Sequence, residues 1–183
     1  KVDMTKLVEI RAREKKIAEK KGIKLTYLPF IIKSVIAALK EHPYLNSSLE
    51  IDGLGEEQIV LKKYHNIGVA VDTPDGLMVP VVKGADKKSI LDIAKEIFNL
   101  ADNARERKLN LGDLKGGTFT ITNYGSIGGL YGTPIINYPE AAILGVGRMK
   151  DEAVVTNGKV ESRKIMYLSL SFDHRILDGA EAA

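Results

Sequence analysis

The chain has no cysteine among its 183 residues, which excludes disulfides, a thiolate nucleophile and thiolate metal sites. That absence fits a reducing compartment. Histidine is scarce, with only His42, His65 and His174. No apolar run approaches the roughly 20 residues needed to cross a bilayer, because Lys, Asp or Pro interrupts each one, and no membrane association is expected. No signal-peptide pattern opens the chain. Neither sign of charge dominates: 27 Lys+Arg against 24 Asp+Glu leaves +3, scattered along the chain, so no nucleic-acid footprint is present. Internal repeats and low-complexity tracts are also lacking. The glycine-rich stretch from Gly125 to Gly132 lacks the Gly-Lys-Ser/Thr ending of a phosphate-binding loop, and no helical pattern follows it. It reads as a close-packed loop passing near a ligand, or as a plain flexible one.

With 44% hydrophobic residues, the chain is long enough to bury a sizeable core within one domain, residues 1–183. Asp3 or Thr5 is placed to cap a first helix in which Leu7, Ile10, Ile17 and Ala18 follow the helical period, ending at Gly22. Its Lys, Arg and Glu face reads as solvated. Thr26 is placed to cap a more apolar helix from Tyr27 to about Glu41, stopped by His42-Pro43. Leu49–Asp52 and Gln58–Leu61 read as a hairpin. So do Asn66–Asp72 and Leu77–Val82, joined by Thr73-Pro74-Asp75-Gly76, a turn with the Pro and Gly that its geometry requires. Ser89, with Asp92 three residues on, predicts a capped helix to about Lys108. Thr118, Thr120 and Thr122 alternate with Phe119 and Ile121, which assigns the threonines to one face of a strand, taken as the polar face, with Thr122 at the strand's end. Ala141–Met149 reads as a strand, and Val154-Val155 and Val160 flank an Asn157-Gly158 turn. This order of elements implies an α/β fold, a two-layer sandwich with a large mixed β-sheet.

Near the end of the chain, Met166, Leu168, Leu170 and Phe172 alternate with Tyr167, Ser169 and Ser171, the pattern of a strand with one strongly apolar face. Asp173-His174-Arg175-Ile176-Leu177-Asp178-Gly179 follows, and Asp178 is placed to cap a helix. His174 therefore lies on a loop held by rigid elements on both sides, a common position for a catalytic group. Taken alone, the pattern fits a structural polar residue better.

The whole string decides between these readings. His174-x-x-x-Asp178-Gly179, preceded by Asp173 and followed by Arg175, resembles the active-site motif of the dihydrolipoamide acyltransferase catalytic domain, the core component of 2-oxo acid dehydrogenase complexes. Its shorter core is shared with chloramphenicol acetyltransferase and peptide-synthetase condensation domains. Tyr64–Val81, Gly116–Gly125 and Thr133–Gly145 resemble further blocks of that family in the same order, so the resemblance covers nearly the whole chain. It implies a chloramphenicol acetyltransferase-like fold, a homotrimer with active sites between subunits, and assembly of trimers into a larger cage. The implied partners are the 2-oxo acid decarboxylase and dihydrolipoamide dehydrogenase components. Lipoyl and subunit-binding domains upstream, and a helix after the motif, are expected beyond the two ends of a truncated chain. A prokaryotic cytoplasm is expected in preference to a mitochondrial matrix.

The implied reaction moves an acyl group between dihydrolipoamide, carried on a separate lipoyl domain, and coenzyme A. An alkyl thiol of pKa about 8.5 is mostly protonated at neutral pH, so attack on a thioester benefits from a base. His174 is the candidate, accepting the proton from one thiol and returning it to the other. The family position of the oxyanion donor falls on Thr122, and that of the loop organiser, which pairs with an arginine, on Asp178. Asp173 and Arg175 are assigned a supporting role. By the same resemblance Arg11, Thr26, Asp72, Asn123 and Arg148 match positions along the coenzyme A channel, with Arg11 or Arg148 facing phosphates. No metal is implied. Three rivals are a metal site built from Asp173, His174 and Asp178, a non-catalytic scaffold paralogue of the same complex, and an acetyltransferase or condensation domain acting on a soluble molecule. The sequence does not specify whether the acyl group is acetyl, succinyl or branched-chain.

Overall fold

The computed structural model describes residues 1–183. In chain order the elements are β1 (Val2–Asp3), α1 (Thr5–Glu19), α2 (Leu28–Glu41), β2 (Ser47–Ile51), β3 (Glu57–Leu61), β4 (Ile67–Val69), β5 (Val71–Thr73), β6 (Gly76–Met78), β7 (Val81–Val82), α3 (Ile90–Arg105), β8 (Phe119–Asn123), β9 (Ala142–Thr156), β10 (Lys159–Phe172) and α4 (Gly179–Ala182). Six strands form one sheet in the order β1-β10-β9-β8-β4-β7, while β2-β3 and β5-β6 are separate two-stranded pairs. β8 runs parallel to both β4 and β9, and the other pairings in the main sheet are antiparallel. The expected large mixed sheet is therefore present.

Local chemistry explains where most elements begin. The Ser89 hydroxyl accepts the Asp92 N–H and the Asp92 carboxylate accepts the Ser89 N–H, the reciprocal cap that starts α3. At α1 the Asp3 carboxylate accepts the Thr5 N–H at 2.9 Å, while the Thr5 hydroxyl accepts the Lys164 N–H from β10. Thr26 does not cap α2, which begins without any side-chain cap. Asn157 and Gly158 both take positive φ, forming the tight turn expected of that pair.

That turn closes one long hairpin, β9 with β10, where the sequence read as separate strands and a smaller hairpin. The intervening residues are charged and matched across the ribbon: Lys164 lies opposite Asp151 and bonds it at 2.8 Å. The pair around Thr73–Gly76 also differs from expectation. Val69 N–H donates to Pro80 O and Ala70 N–H to Ile121 O, after which the strands leave the main sheet and continue as β5-β6. Pro80 has no N–H with which to extend the ladder.

α2 and α3 pack on one face of the sheet. Ile31, Ile32, Ile36 and Leu39 of α2 and Ile93 of α3 share a core with Ile67, Val82, Phe119, Ile121, Val146 and Met166. Burying each such aliphatic side chain contributes about 1.5–3 kcal/mol. The opposite face carries Thr118, Thr120 and Thr122. It is the polar face that the alternation implied, but it is shielded from solvent: Thr118 and Thr120 are buried. The crossover from β8 to β9, residues 124–141, covers it and supplies the Glu140 carboxyl that accepts the Thr120 hydroxyl at 2.6 Å. A hydroxyl bonded in this way is buried at little cost.

Candidate active site

β10 ends at Phe172, and the loop beyond it is fixed by its own backbone. Asp173 N–H donates to Ala141 O at 2.8 Å, and Asp173 O accepts the N–H groups of Ile176 and Leu177. Leu177 is buried and anchors the turn. The Asp173 carboxylate accepts both the Arg175 N–H and its guanidinium, which holds its pKa below the usual carboxylate range.

This turn presents His174 outward. Its side chain is 72% exposed, and its Nδ1 lies 3.5 Å from the Asp178 carboxylate, itself 84% exposed. The ring leans on Phe172, with centroids 5.5 Å apart. A carboxylate facing Nδ1 favours the proton there and leaves Nε2 free as an acceptor. Within the chain no arginine pairs with Asp178, because Arg175 is engaged by Asp173. The three residues Asp173, His174 and Asp178 consequently do not converge on a point, and no group of three His, Asp or Glu side chains does so elsewhere.

Thr122 stands at the far end of the sheet. It is in register with Gly145 of β9, which is in register with Ser169 of β10. His174 lies five residues beyond Ser169. At about 3.3 Å per residue and about 4.8 Å per strand, the two side chains of one chain are on the order of 20 Å apart. Thr122 is half-buried, with a tightly built wall beside it. The Tyr124 ring fills a slot lined by Gly129, Gly132 and Gly145, and a Cβ added at Gly145 would lie 2.7 Å from it. The Tyr124 hydroxyl donates to Ser169 Oγ at 3.0 Å. Gly125 packs directly on the backbone of Gly147, where an added Cβ would lie 2.3 Å away. Of the two readings of the glycine-rich segment, the packing at Gly125, Gly129 and Gly132 favours the close-packed loop.

The remaining candidates fall in three places. Asn123 and Arg148 join Thr122 at the end of β8 and β9. The Asn123 side chain caps the following turn through Ser126 N–H, and Arg148 N–H donates to Gly129 O while its side chain is exposed. Arg11 and Thr26 meet where α1 passes the start of α2: Arg11 Nε donates to Leu25 O at 3.0 Å, and the guanidinium lies over the Tyr27 ring. Asp72 is exposed on β5, opposite Leu77. A cavity of about 540 Å³ contains neither His174 nor Thr122. It is a mostly apolar space between the helices and β10, walled by Leu7, Ile31, Val35, Leu144 and Leu170. Sequence reasoning passed over Tyr124 and Glu140. An acid between Pro139 and the apolar run Ala141-Ala142-Ile143-Leu144 was the available signal for the second.

All of residues 1–183 match the sequence profile of the 2-oxoacid dehydrogenases acyltransferase (catalytic domain). The chain is 50% identical over 181 residues to the dihydrolipoyllysine-residue acetyltransferase component of the pyruvate dehydrogenase complex of Bacillus subtilis. That match covers 99% of this chain and 40% of the relative, so the chain spans about two fifths of that protein's length. Among solved structures it superposes on the Azotobacter vinelandii dihydrolipoamide acetyltransferase with a TM-score of 0.92 at 47% identity, over 98% of this chain and 73% of that one. The cubic core of a pyruvate dehydrogenase multienzyme complex gives a TM-score of 0.93 at 46% identity, over 99% and 73%. Chloramphenicol acetyltransferase, at 17% identity and a TM-score of 0.54 over 92% and 77%, shares the fold alone. With its whole length matched to the profile, and with His174, Asp178 and Thr122 set on loop and strand ends as described, the chain belongs to the 2-oxoacid dehydrogenase acyltransferase catalytic-domain family.

Proposed function

We propose that this domain transfers an acyl group between dihydrolipoamide and coenzyme A, in a trimer where His174 of one subunit works with Thr122 of the next. The observation that carries this reading is the solvent-open imidazole of His174, turned by its loop so that Nδ1 faces Asp178. The about 20 Å between Thr122 and His174 in one chain, from strand geometry, supports a site completed by a second copy. The Azotobacter vinelandii enzyme, whose catalytic mechanism has been probed at a serine, a histidine and an asparagine, gives further support. Its serine precedes the histidine by as many positions as Thr122 precedes His174, and its asparagine follows by as many as Asp178 does.

Nε2 of His174 accepts the proton of the coenzyme A thiol as its sulfur attacks the thioester carbonyl. The tetrahedral oxyanion takes a hydrogen bond from the Thr122 hydroxyl. Collapse breaks the bond to the dihydrolipoamide sulfur, which recovers the proton from Nε2, so His174 ends as it began. Base assistance of this kind is worth about 10²–10⁴ in rate. A preset oxyanion donor is worth about 2.7–4 kcal/mol. Asp178 fixes the neutral ring in the tautomer that leaves Nε2 free. Arg11 and Arg148 are the basic groups offered to the phosphates of coenzyme A, and Thr26, Asp72 and Asn123 complete the channel.

The acetyl group is the favoured cargo, since the relatives named above are acetyltransferases of pyruvate dehydrogenase complexes. The cubic core among the structural relatives supports assembly of trimers into a cage, with decarboxylase and dihydrolipoamide dehydrogenase components as partners. Bacterial relatives support a prokaryotic setting. The test is H174A in the assembled protein: thiol acyl transfer drops by about 10²-fold or more while coenzyme A still binds. Turnover near that of the wild type contradicts the reading.

A further inference from the structure

Glu140 has the one buried carboxyl in the chain, at 6% exposure, and the acyl-transfer chemistry makes no use of it. It lies on the threonine face of the sheet. Oε2 accepts the Thr120 hydroxyl at 2.6 Å and Oε1 accepts the Asn137 side-chain N–H at 3.2 Å. Oε1 also sits against bare backbone at Gly117, where an added Cβ would lie 2.4 Å away. Thr120 is two residues before Thr122 on the same strand face, so the bond fixes the strand that ends in the oxyanion donor.

The next residue fixes the loop of the base. Ala141 is fully buried, its N–H donates to Ser47 O at 3.0 Å, and its carbonyl accepts the N–H of Asp173, the residue before His174. One carboxyl and the residue that follows it are thus tied to both halves of the catalytic machinery. The halves tied within one chain serve different sites, because Thr122 and His174 of that chain are too far apart to meet.

We infer that Glu140 is a positioning residue for both catalytic groups, and the link through which neighbouring active sites of the trimer are held in register. This rests on the proposed intersubunit site. Burial pushes the Glu140 carboxyl up to about 7, against the opposing effect of its hydrogen bonds from Thr120 and Asn137. Those two groups, from β8 and from the crossover, are the polar side chains that face it, and no charged group pairs with it. A neutral carboxyl can both donate and accept here, as a glutamine amide can.

The experiment compares E140L and E140Q in the assembled trimer, with H174A as the baseline. Leucine fills the space but bonds neither partner. E140L is expected to lower kcat about tenfold or more, with KM for both substrates within about twofold. The amide of Asp173 exchanges with solvent about tenfold faster. E140Q restores kcat and exchange to within about threefold of wild type. Should E140L fail to fold, T120V, which keeps the shape and removes only the hydroxyl, is expected to give the same split. A folded E140L or T120V with unchanged kcat overturns the inference, as does a loss confined to KM. If H174A itself keeps its turnover, the underlying acyltransfer reading falls; if H174A is inactive and E140L is not impaired, only the role of Glu140 falls.

Discussion

His174 turns its Nδ1 toward the Asp178 carboxylate at 3.5 Å, and both side chains stand open to solvent. A carboxylate there matters less for its charge, which water screens, than for selecting the ring tautomer with Nε2 free. D178N keeps an oxygen able to accept from Nδ1 and should retain kcat within about threefold, whereas D178A should lose about tenfold. Steady-state kinetics of the two variants check this. Equal and large losses in both would assign the carboxylate charge itself to the chemistry.

Thr122 is expected to act only while charge is on the carbonyl oxygen. T122V removes the donor and keeps the β-branched shape, so kcat should fall by about 10²–10³ with KM for both substrates little changed. T122S should recover most of the loss. A change confined to KM would move this residue from chemistry to binding.

The Tyr124 slot fixes the strand end beside Thr122. G145A places a Cβ 2.7 Å from the Tyr124 ring, and overpacking of this kind typically costs about 1–3 kcal/mol. Y124F loses only the hydrogen bond to Ser169, worth about 1 kcal/mol. Denaturant unfolding should therefore rank wild type above Y124F and Y124F at or above G145A, and kcat should fall further in G145A than in Y124F.

Stability should also report on Glu140. Its pKa is raised by burial from 4.5 when unfolded to about 7 when folded. The native state then holds a proton that the unfolded chain has released. The stabilisation is fully present below pH 4.5 and is lost as pH rises through 7. The shift corresponds to on the order of 3 kcal/mol. Unfolding free energies measured from pH 4.5 to 8 should decline more steeply in wild type than in E140Q. Parallel curves would contradict the burial argument.

Elements fixed by neighbouring residues were legible in the sequence. The Ser89–Asp92 cap, the Asn157-Gly158 turn and the stop at His42-Pro43 each depend on a few adjacent side chains, and each appears where the sequence places it. What depends on distant partners was not legible. Lys150–Ala153 and Glu161–Lys164 lack an apolar face, and only their pairing across the ribbon makes them strands. Thr118 and Thr120 carry the alternation of a polar face, but that the crossover buries them with a carboxyl 20 residues on from Thr120 was not visible in it. β1 is two residues long and exists by pairing with Ile165 and Met166 at the other end of the chain. The motif around His174 marked the candidate base, but the remoteness of Thr122 from it within one chain follows only from sheet register.

Whether the site is shared between subunits is tested most directly by mixing two inactive chains. H174A and T122V proteins are unfolded together, refolded into mixed trimers and assayed beside each parent refolded alone. If His174 and Thr122 of different chains form each site, roughly one site in four regains both groups on random assembly, and activity should rise well above either parent. If mixed trimers form and stay as inactive as the parents, the two residues do not work across the subunit boundary, and the shared-site mechanism is wrong.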